Sequence, residues 1–455
     1  MSPRLVVPAG SAESASAEGV EVGELELVGR GCKLRDYSKK KIKNIQPFSI
    51  TGEIVAYASP DSTYAVTKRL MDAAKKSIRI GIYDFTADYM TQILLDALHR
   101  GVKVTLMLDI DSKTEQGIMD KLAKFGCEAV PSPSCASQHD AKFFRSAHEK
   151  FIVIDDETVL VQSGNYSNAS IPFNEKDGGD PANFRKGNRD MGVAIRSKEL
   201  SAFFNKVLRK DINLELKTGG AEAAEKKRPR PLSEIELVEA VPKLIPSKLF
   251  PSKRFKPTSG IKVTPILTPD NYMDEIPPFL ASARESVLIE QQYIHSFDEA
   301  VDALLSSIAV AMGKNPQLDV RIILGKIFDG DKGIKKESEN LANIRKKFKL
   351  KLGDNIRFIN TQRFTHCHNK LIVVDRKAAL VSSQNWSNAA VLENREAGLL
   401  LPFPPVARYF ADIFESDWET AAKTLPKKPA PQSVGVESLA AENLMPVNFG
   451  DYVQL

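Results

Sequence analysis

Histidine and cysteine, from which most metal centres and all disulfide frameworks are built, are scarce here, numbering six and four in 455 residues. The cysteines, Cys32, Cys127, Cys135 and Cys367, show no metal-type spacing, so a reduced, cytoplasmic setting is expected rather than a disulfide framework. Long apolar runs are missing as well. No stretch approaches the ~20 residues that cross a bilayer, and the short apolar start of MSPRLVVPAGSAESASAEG is broken at Pro8, too early for a secretory leader. A large charge imbalance is also lacking: 63 Lys and Arg face 58 Asp and Glu, a net of +5. That mild excess suits an anionic partner without naming one.

What is present is enough apolar content, 42%, for ordinary globular packing, in a chain long enough for two or three domains. Residues 1–48 read as a flexible lead-in that is rich in Ser, Ala, Gly and Glu and ends in the basic patch YSKKKIKN. Residues 215–260 shift to Pro and Lys, in TGGAEAAEKKRPRPLSE and KLIPSKLFPSKRFKPTSG, and read as a linker. Its KKRPR cluster reads as a solvated charge run, and the tail 423–455 again looks loose.

The segments between, 49–214 and 261–422, repeat the same order of elements. Helical patterns in VTKRLMDAAKK and MDEIPPFLASARE precede strand-like runs in SIRIGIYDF and SVLIEQQYI. A second helix and strand follow in each. Helices alternating with near-continuous apolar strands predict an α/β fold with crossover units and a sheet covered on both faces. After the second strand come HEKFIVID at 148–155 and HNKLIVVD at 368–375, which put His, Lys and Asp at the same offsets 220 residues apart. Each predicts a strand, a short turn at the aspartate and a returning strand. Alternation puts His148 with Lys150, and His368 with Lys370, on one strand face. Downstream, Ser163 and Asn165 match Ser383 and Asn385.

Two of only six histidines heading matched five-position constellations point to phosphoryl chemistry. One imidazole can attack phosphorus, a second can protonate the departing oxygen, and Lys and Asn donors can neutralise the equatorial oxygens where other enzymes use metal ions. No carboxylate or histidine cluster suggests a metal. In His366-Cys367-His368, alternation along a strand and the want of a fourth ligand argue against zinc.

These residues resemble the phospholipase D superfamily, whose members carry HxKx4D motifs in duplicate or as homodimers. The resemblance implies two pseudo-twofold-related α/β/α repeats sharing one active site at their interface, no cofactor, no metal, and a phosphohistidine intermediate. It implies His148 as nucleophile and His368 as leaving-group acid, with Lys150, Lys370, Asn165 and Asn385 on the phosphate and Ser163 and Ser383 as further donors. Asp155 and Asp375, part of the motif, look like structural partners at the turn. The carboxylate that fixes each histidine's tautomer falls on Glu396 in NREAGLL and on Asp190 in NRDMGVAI, one methylene shorter and set off by the insertion SIPFNEKDGGDPANFRKG.

The chemistry is the same for a phospholipid head group and a nucleic-acid backbone. Tandem fusion resembles the phospholipase and phosphatidyltransferase branches, so the expected partner is a phospholipid met from the aqueous side by a monomer peripheral to a membrane. The alternatives are DNA or RNA cleavage and a non-catalytic anion-binding scaffold. FFRSAH, IPF and LLPFPP could serve lipid entry but read better as core, and Phe250 and Phe255 interleave basic residues that suit either polyanion.

Overall fold

A computed structural model describes residues 32–137, 141–173, 187–218 and 250–425. A lead strand, β1 (Phe48–Ile50), opens the first repeat, which continues as β2 (Ile54–Ser59), α1 (Thr63–Asp72), β3 (Ser77–Ile82), α2 (Asp88–His99), β4 (Lys103–Leu108), α3 (Lys113–Lys124), β5 (Glu128–Pro131), β6 (Lys150–Ile154), β7 (Thr158–Gln162), β8 (Asp190–Arg196) and α4 (Lys198–Thr218). The second begins with lead strand β9 (Lys253–Phe255) and runs through β10 (Ile261–Thr268), α5 (Tyr272–Ala281), β11 (Ser286–Gln291), α6 (Glu299–Lys314), β12 (Asp319–Leu324), α7 (Gly330–Phe348), β13 (Ile356–Phe358), β14 (Lys370–Val374), β15 (Ala378–Ser382), β16 (Glu396–Leu401) and α8 (Pro404–Thr420).

The two eight-stranded sheets have the same order. One runs β5-β4-β3-β6-β7-β8-β2-β9 and the other β13-β12-β11-β14-β15-β16-β10-β1. Only β3, β4 and β5, and their counterparts β11, β12 and β13, pair in parallel through crossover helices. The remaining pairings are antiparallel. The sheet is therefore mixed, because each motif folds as a hairpin that needs no crossover.

Each lead strand leaves its own repeat. β1 pairs with β10 of the second repeat, and β9, which falls inside the stretch read as a linker, pairs with β2 of the first. Three-residue strands carry no readable alternation, so this exchange had no sequence signal. One face of each sheet packs on its own outer helices, giving two separate cores. The inner faces join α4 and α8 in one continuous core that includes Val153, Val161, Phe204, Leu371, Val373 and Phe410. At about 25 cal/mol per Å² of apolar surface, this shared core welds the repeats into one body.

Two expectations need correction. Cys32 and Cys135 form a disulfide, their Cα atoms 6.2 Å apart, while Cys127 and Cys367 are buried thiols. A partner 103 residues away leaves no spacing pattern to read. The basic end of the lead-in, expected to be loose, is fixed beyond Cys32. Arg35 donates its N–H to the Lys142 carbonyl, and buried Tyr37 packs edge-on against Phe144 at 4.9 Å. FFRSAH and IPF are core, as Phe144 and Ile171 are fully buried. The KKRPR cluster, most of the insertion after Ser170 and the tail from 426 lie outside the described residues.

Candidate active site

Each motif begins one turn of alternation before its strand: β6 starts at Lys150 and β14 at Lys370, with the histidines two residues ahead. At the far end, Asp155 and Asp156 (φ 55° and 58°) and Asp375 and Arg376 (φ 55° and 52°) take left-handed conformations. Two such residues give the tight hairpin whose twist matches the flanking strands, and aspartate tolerates that conformation better than most residues. The Asp155 carboxylate accepts N–H bonds from Lys75, Lys76 and Ser77, and Asp375 accepts them from Arg284, Glu285 and Ser286. Burial alone would raise the Asp155 carboxyl, but these donors hold it below the usual range. Both aspartates thus anchor the hairpin to the neighbouring strand, at the opposite end of β6 and β14 from the histidines.

The histidines are served across the repeats. His148 Nδ1 lies 3.0 and 2.9 Å from the two Glu396 oxygens, and His368 Nδ1 lies 2.9 Å from Asp190 Oδ1. The first repeat's histidine therefore pairs with the second repeat's carboxylate, and the reverse. Backbone seams run beside both pairs: Arg395 N donates to the Ser146 carbonyl, and Arg189 N to that of His366. A carboxylate on Nδ1–H fixes the tautomer, so Nε2 is the nitrogen left to react. Burial pushes the Asp190 carboxyl up, but His368, Lys370 and the Ser163 hydroxyl outweigh it and hold the group below its ordinary value.

Ser163 and Ser383, expected as further donors, turn their hydroxyls to the two carboxylates. Both sit just past their strands, where the Ser163 hydroxyl donates to Asp190 at 2.8 Å and that of Ser383 to Glu396 at 2.6 Å. With Asn394 Nδ2, 3.0 Å from Glu396, they orient the carboxylates that orient the histidines. Lys150 Nζ donates to the His148 carbonyl at 2.8 Å and lies 5.3 Å from the Tyr83 ring centre. Lys370 Nζ reaches the His368 carbonyl at 2.6 Å and His368 Nε2 at 3.1 Å. Asn165 and Asn385 are buried, yet the Oδ1 of each accepts no hydrogen bond from the described residues. A buried amide oxygen without a partner, at the same place in both repeats, fits a site meant for a polar occupant.

Two arginines beneath the site escaped the sequence reading. Arg189 is fully buried, and it bonds Asp61 (3.1 Å) in its own repeat and Asp417 (2.7 Å) on α8 of the other while stacking over Phe364 at 4.4 Å. Arg395 repeats this with Asp270, with Asp211 on α4 at 2.9 Å, and over Phe144 at 4.4 Å. Each lies one residue before a tautomer-fixing carboxylate, so each locks that carboxylate's strand to the opposite repeat. The signal was available: Asn188-Arg189-Asp190 and Asn394-Arg395-Glu396 repeat, as do Pro60-Asp61 and Pro269-Asp270.

Among the described residues no group of three or more His, Cys, Asp or Glu is placed to hold a metal ion. Within His366-Cys367-His368, His366 Nδ1 accepts the Lys326 N–H at 2.8 Å, Cys367 is fully buried, and His368 faces Asp190. No helix among the described residues is long and apolar enough to cross a membrane.

A family model for the cardiolipin synthase, PLD-like domain matches residues 67–212 and 276–418. The chain is 34% identical over 58 residues to mitochondrial cardiolipin hydrolase from Mus musculus, covering 13% of this chain and 26% of that one. The Canis lupus familiaris protein of the same name gives 34% over 58 residues, 13% and 23%. The chain thus spans about a quarter of the length of these curated relatives. Phosphatidylserine synthase from Haemophilus influenzae Rd KW20 is similar in structure, with a TM-score of 0.57 at 16% identity over 88% of this chain and 96% of that one. That likeness concerns the fold. With the family match falling on both repeats over more than half of its length, the chain belongs to the phospholipase D-like family of phosphodiesterase-type enzymes.

Proposed function

We propose that the protein is a metal-independent phospholipase D-type phosphodiesterase that hydrolyses phospholipids through a phosphohistidine and can transfer the head group to an alcohol. The observation that carries this is the crossed pairing of His148 with Glu396 and His368 with Asp190 beside Lys150 and Lys370. One site then offers two imidazoles of fixed tautomer. Nε2 of His148 attacks phosphorus and the N–P bond forms as the P–O bond to the leaving alcohol breaks. His368, starting as the imidazolium that Asp190 stabilises, gives its Nε2 proton to that oxygen. Water then loses a proton to His368 as it attacks phosphorus, the N–P bond breaks, and both histidines return to their starting state. Lys150, Lys370, Asn165 and Asn385 neutralise and orient the phosphate oxygens, and Asp190 and Glu396 stabilise the imidazolium forms.

The lipid assignment is supported by the family description and by the names of the similar proteins, which act on or make phospholipids. The test incubates the protein in EDTA with phosphatidylcholine, cardiolipin and single-stranded DNA in parallel, with His148→Asn as control. Phosphatidic acid release that the control lacks is the expected result. Cleavage of DNA alone would move the protein to polynucleotide substrates, and no cleavage of any diester would leave only a binding scaffold.

A further inference from the structure

The basic strap 33–43 is a surface the catalytic reading does not use. Lys33, Arg35, Lys39, Lys40, Lys41 and Lys43 are all exposed, and Asp36 is the one acid among them. Eleven residues thus hold a net of +5, the whole excess of the 455-residue chain. Lys33, Lys41 and Lys43 pair with no carboxylate among the described residues, and Lys39 acts only on the exposed Asp36, so little of the charge is spent on internal ion pairs. The strap is nevertheless held rigidly from below. The Cys32–Cys135 disulfide pins one end, Tyr37 is buried against Phe144 and bonds Arg395, and Arg35 N bonds the Lys142 carbonyl.

Residues 142–145 beneath the strap run directly into His148. On their other side, Arg145 N bonds the Glu393 carbonyl at the end of the π-helical turn Ala389–Glu393. That turn is tied in turn to the start of α6, since Asn388 N donates to Asp298. Three of the five exposed large apolar side chains among the described residues sit along this bonded series: Leu34 between Lys33 and Arg35, Leu392 on the turn, and Phe297 beside Asp298. A rigid strip of exposed cations with apolar side chains along it, leading into the catalytic segment, has the makeup of an interfacial binding surface.

We propose that the strap 33–43, with Leu34, Leu392 and Phe297, docks the protein on an anionic phospholipid surface and presents its active site to lipid. This rests on the phospholipid reading above and names how the substrate surface is engaged. The cations face the phosphate layer and the three apolar side chains enter its upper edge. A polynucleotide is the poorer fit, because the strap carries no exposed aromatic ring on which bases could stack: Tyr37 is buried and Phe143 lies under Arg35 and Lys40.

The test uses the full chain and vesicles of phosphatidylcholine alone or mixed with phosphatidylglycerol, read by co-sedimentation. The variant Lys33→Ser/Lys39→Ser/Lys41→Ser/Lys43→Ser should bind the anionic vesicles at least about 100-fold more weakly, while the all-Arg version of the same positions retains binding. Wild-type binding should fall steeply with salt and be weak on phosphatidylcholine alone. Hydrolysis of a small soluble diester, bis(4-nitrophenyl) phosphate, should be unchanged in both variants, and His148→Asn should bind vesicles as wild type does. If His148→Asn still cleaves diesters while the strap variants behave as stated, the catalytic reading fails and the docking surface stands. Equal vesicle binding by wild type and the Ser variant overturns the proposal, as does loss in that variant of binding to single-stranded DNA with vesicle binding intact.

Discussion

The two repeats share one strand order and one motif, yet differ in several of the side chains packed around that motif. Register pairs Gly81 with Phe151 and Glu290 with Leu371, so Gly81 and Glu290 hold equivalent places, as do Glu149 and Asn369. The second repeat carries its buried acid on β11, where Asn369 Nδ2 bonds Glu290 at 2.9 Å. The first carries it at Glu149, and Gly81 leaves the room: a Cβ there would lie 2.9 Å from the Phe151 ring and 3.0 Å from Glu149 Oε1. The acid has changed strands but remains near the buried arginine. Glu290 acts on Arg189, and Arg395 acts on Glu149. Each guanidinium thus has three carboxyls around it. Burial, then Asp417, pushes Glu290 up to about 8, and burial, then Asp211, pushes Glu149 well above its usual value.

The approach to each histidine differs too. Tyr83 packs 4.9 Å from the His148 ring, where the second repeat has Gln292. Before His148, the Asp109 carboxylate accepts from Ser146 Oγ and Ala147 N at 2.9 and 2.8 Å. The second repeat puts Gly325 at Asp109's place, and His366 fills the space, since a Cβ on Gly325 would lie 2.2 Å from that ring. What stays equal is what the proposed reaction would use on both sides: histidine, lysine, asparagine, the serine-held carboxylate and the arginine locking it. The shared chemistry is symmetric, and the walls around it are not.

The most costly way to break this equivalence is to remove an arginine lock. Arg189→Met or Arg395→Met strands two buried aspartates, and each should lose about 3–5 kcal/mol in chemical denaturation; a loss under 1 kcal/mol would make the lock unimportant. Next come the crossed carboxylates. Asp190→Asn and Glu396→Gln should each lower kcat on a soluble diester by about 10²–10⁴-fold, since a wrong tautomer removes the reacting lone pair. Asp190→Glu, which gives both histidines the same partner, should keep more activity than Asp190→Asn; the reverse order would mean that length, not charge, matters at this position.

The smallest effect separates the two buried acids by pH. Glu290 binds its proton more tightly folded than unfolded, so between its unfolded value near 4.5 and about 8 the folded chain holds the extra proton, and stability falls as pH rises across that window. Glu290→Gln should flatten that slope by a few kcal/mol between its ends, read from denaturant midpoints at several pH values. An unchanged slope would assign the titration elsewhere.

The duplicated HxKx4D pattern made the candidate site groups legible because both copies hold the same residue types at the same offsets, and the apolar runs made β3, β6, β11 and β14 legible because both their faces are buried. Asp190 was found in spite of its insertion from its place at the head of the strand that follows, β8. What could not be read is how the halves meet. That Glu396 serves His148 rather than His368 follows from the seam of Ala147 along Arg395, a contact between segments without periodicity. The same holds for the lead-strand exchange of β1 and β9 and for the Cys32–Cys135 bond. That the Ser163 and Ser383 hydroxyls donate to the carboxylates could not be read either, because a hydroxyl that holds a carboxylate and one that binds phosphate look the same in sequence.

The central claim is that two half-sites make one catalytic centre. It is tested by assaying His148→Asn and His368→Asn separately on bis(4-nitrophenyl) phosphate in EDTA. A single shared site predicts that each substitution alone lowers turnover by about 10³-fold or more. Half of the wild-type rate surviving in either variant would mean that the repeats work independently, and would contradict the account.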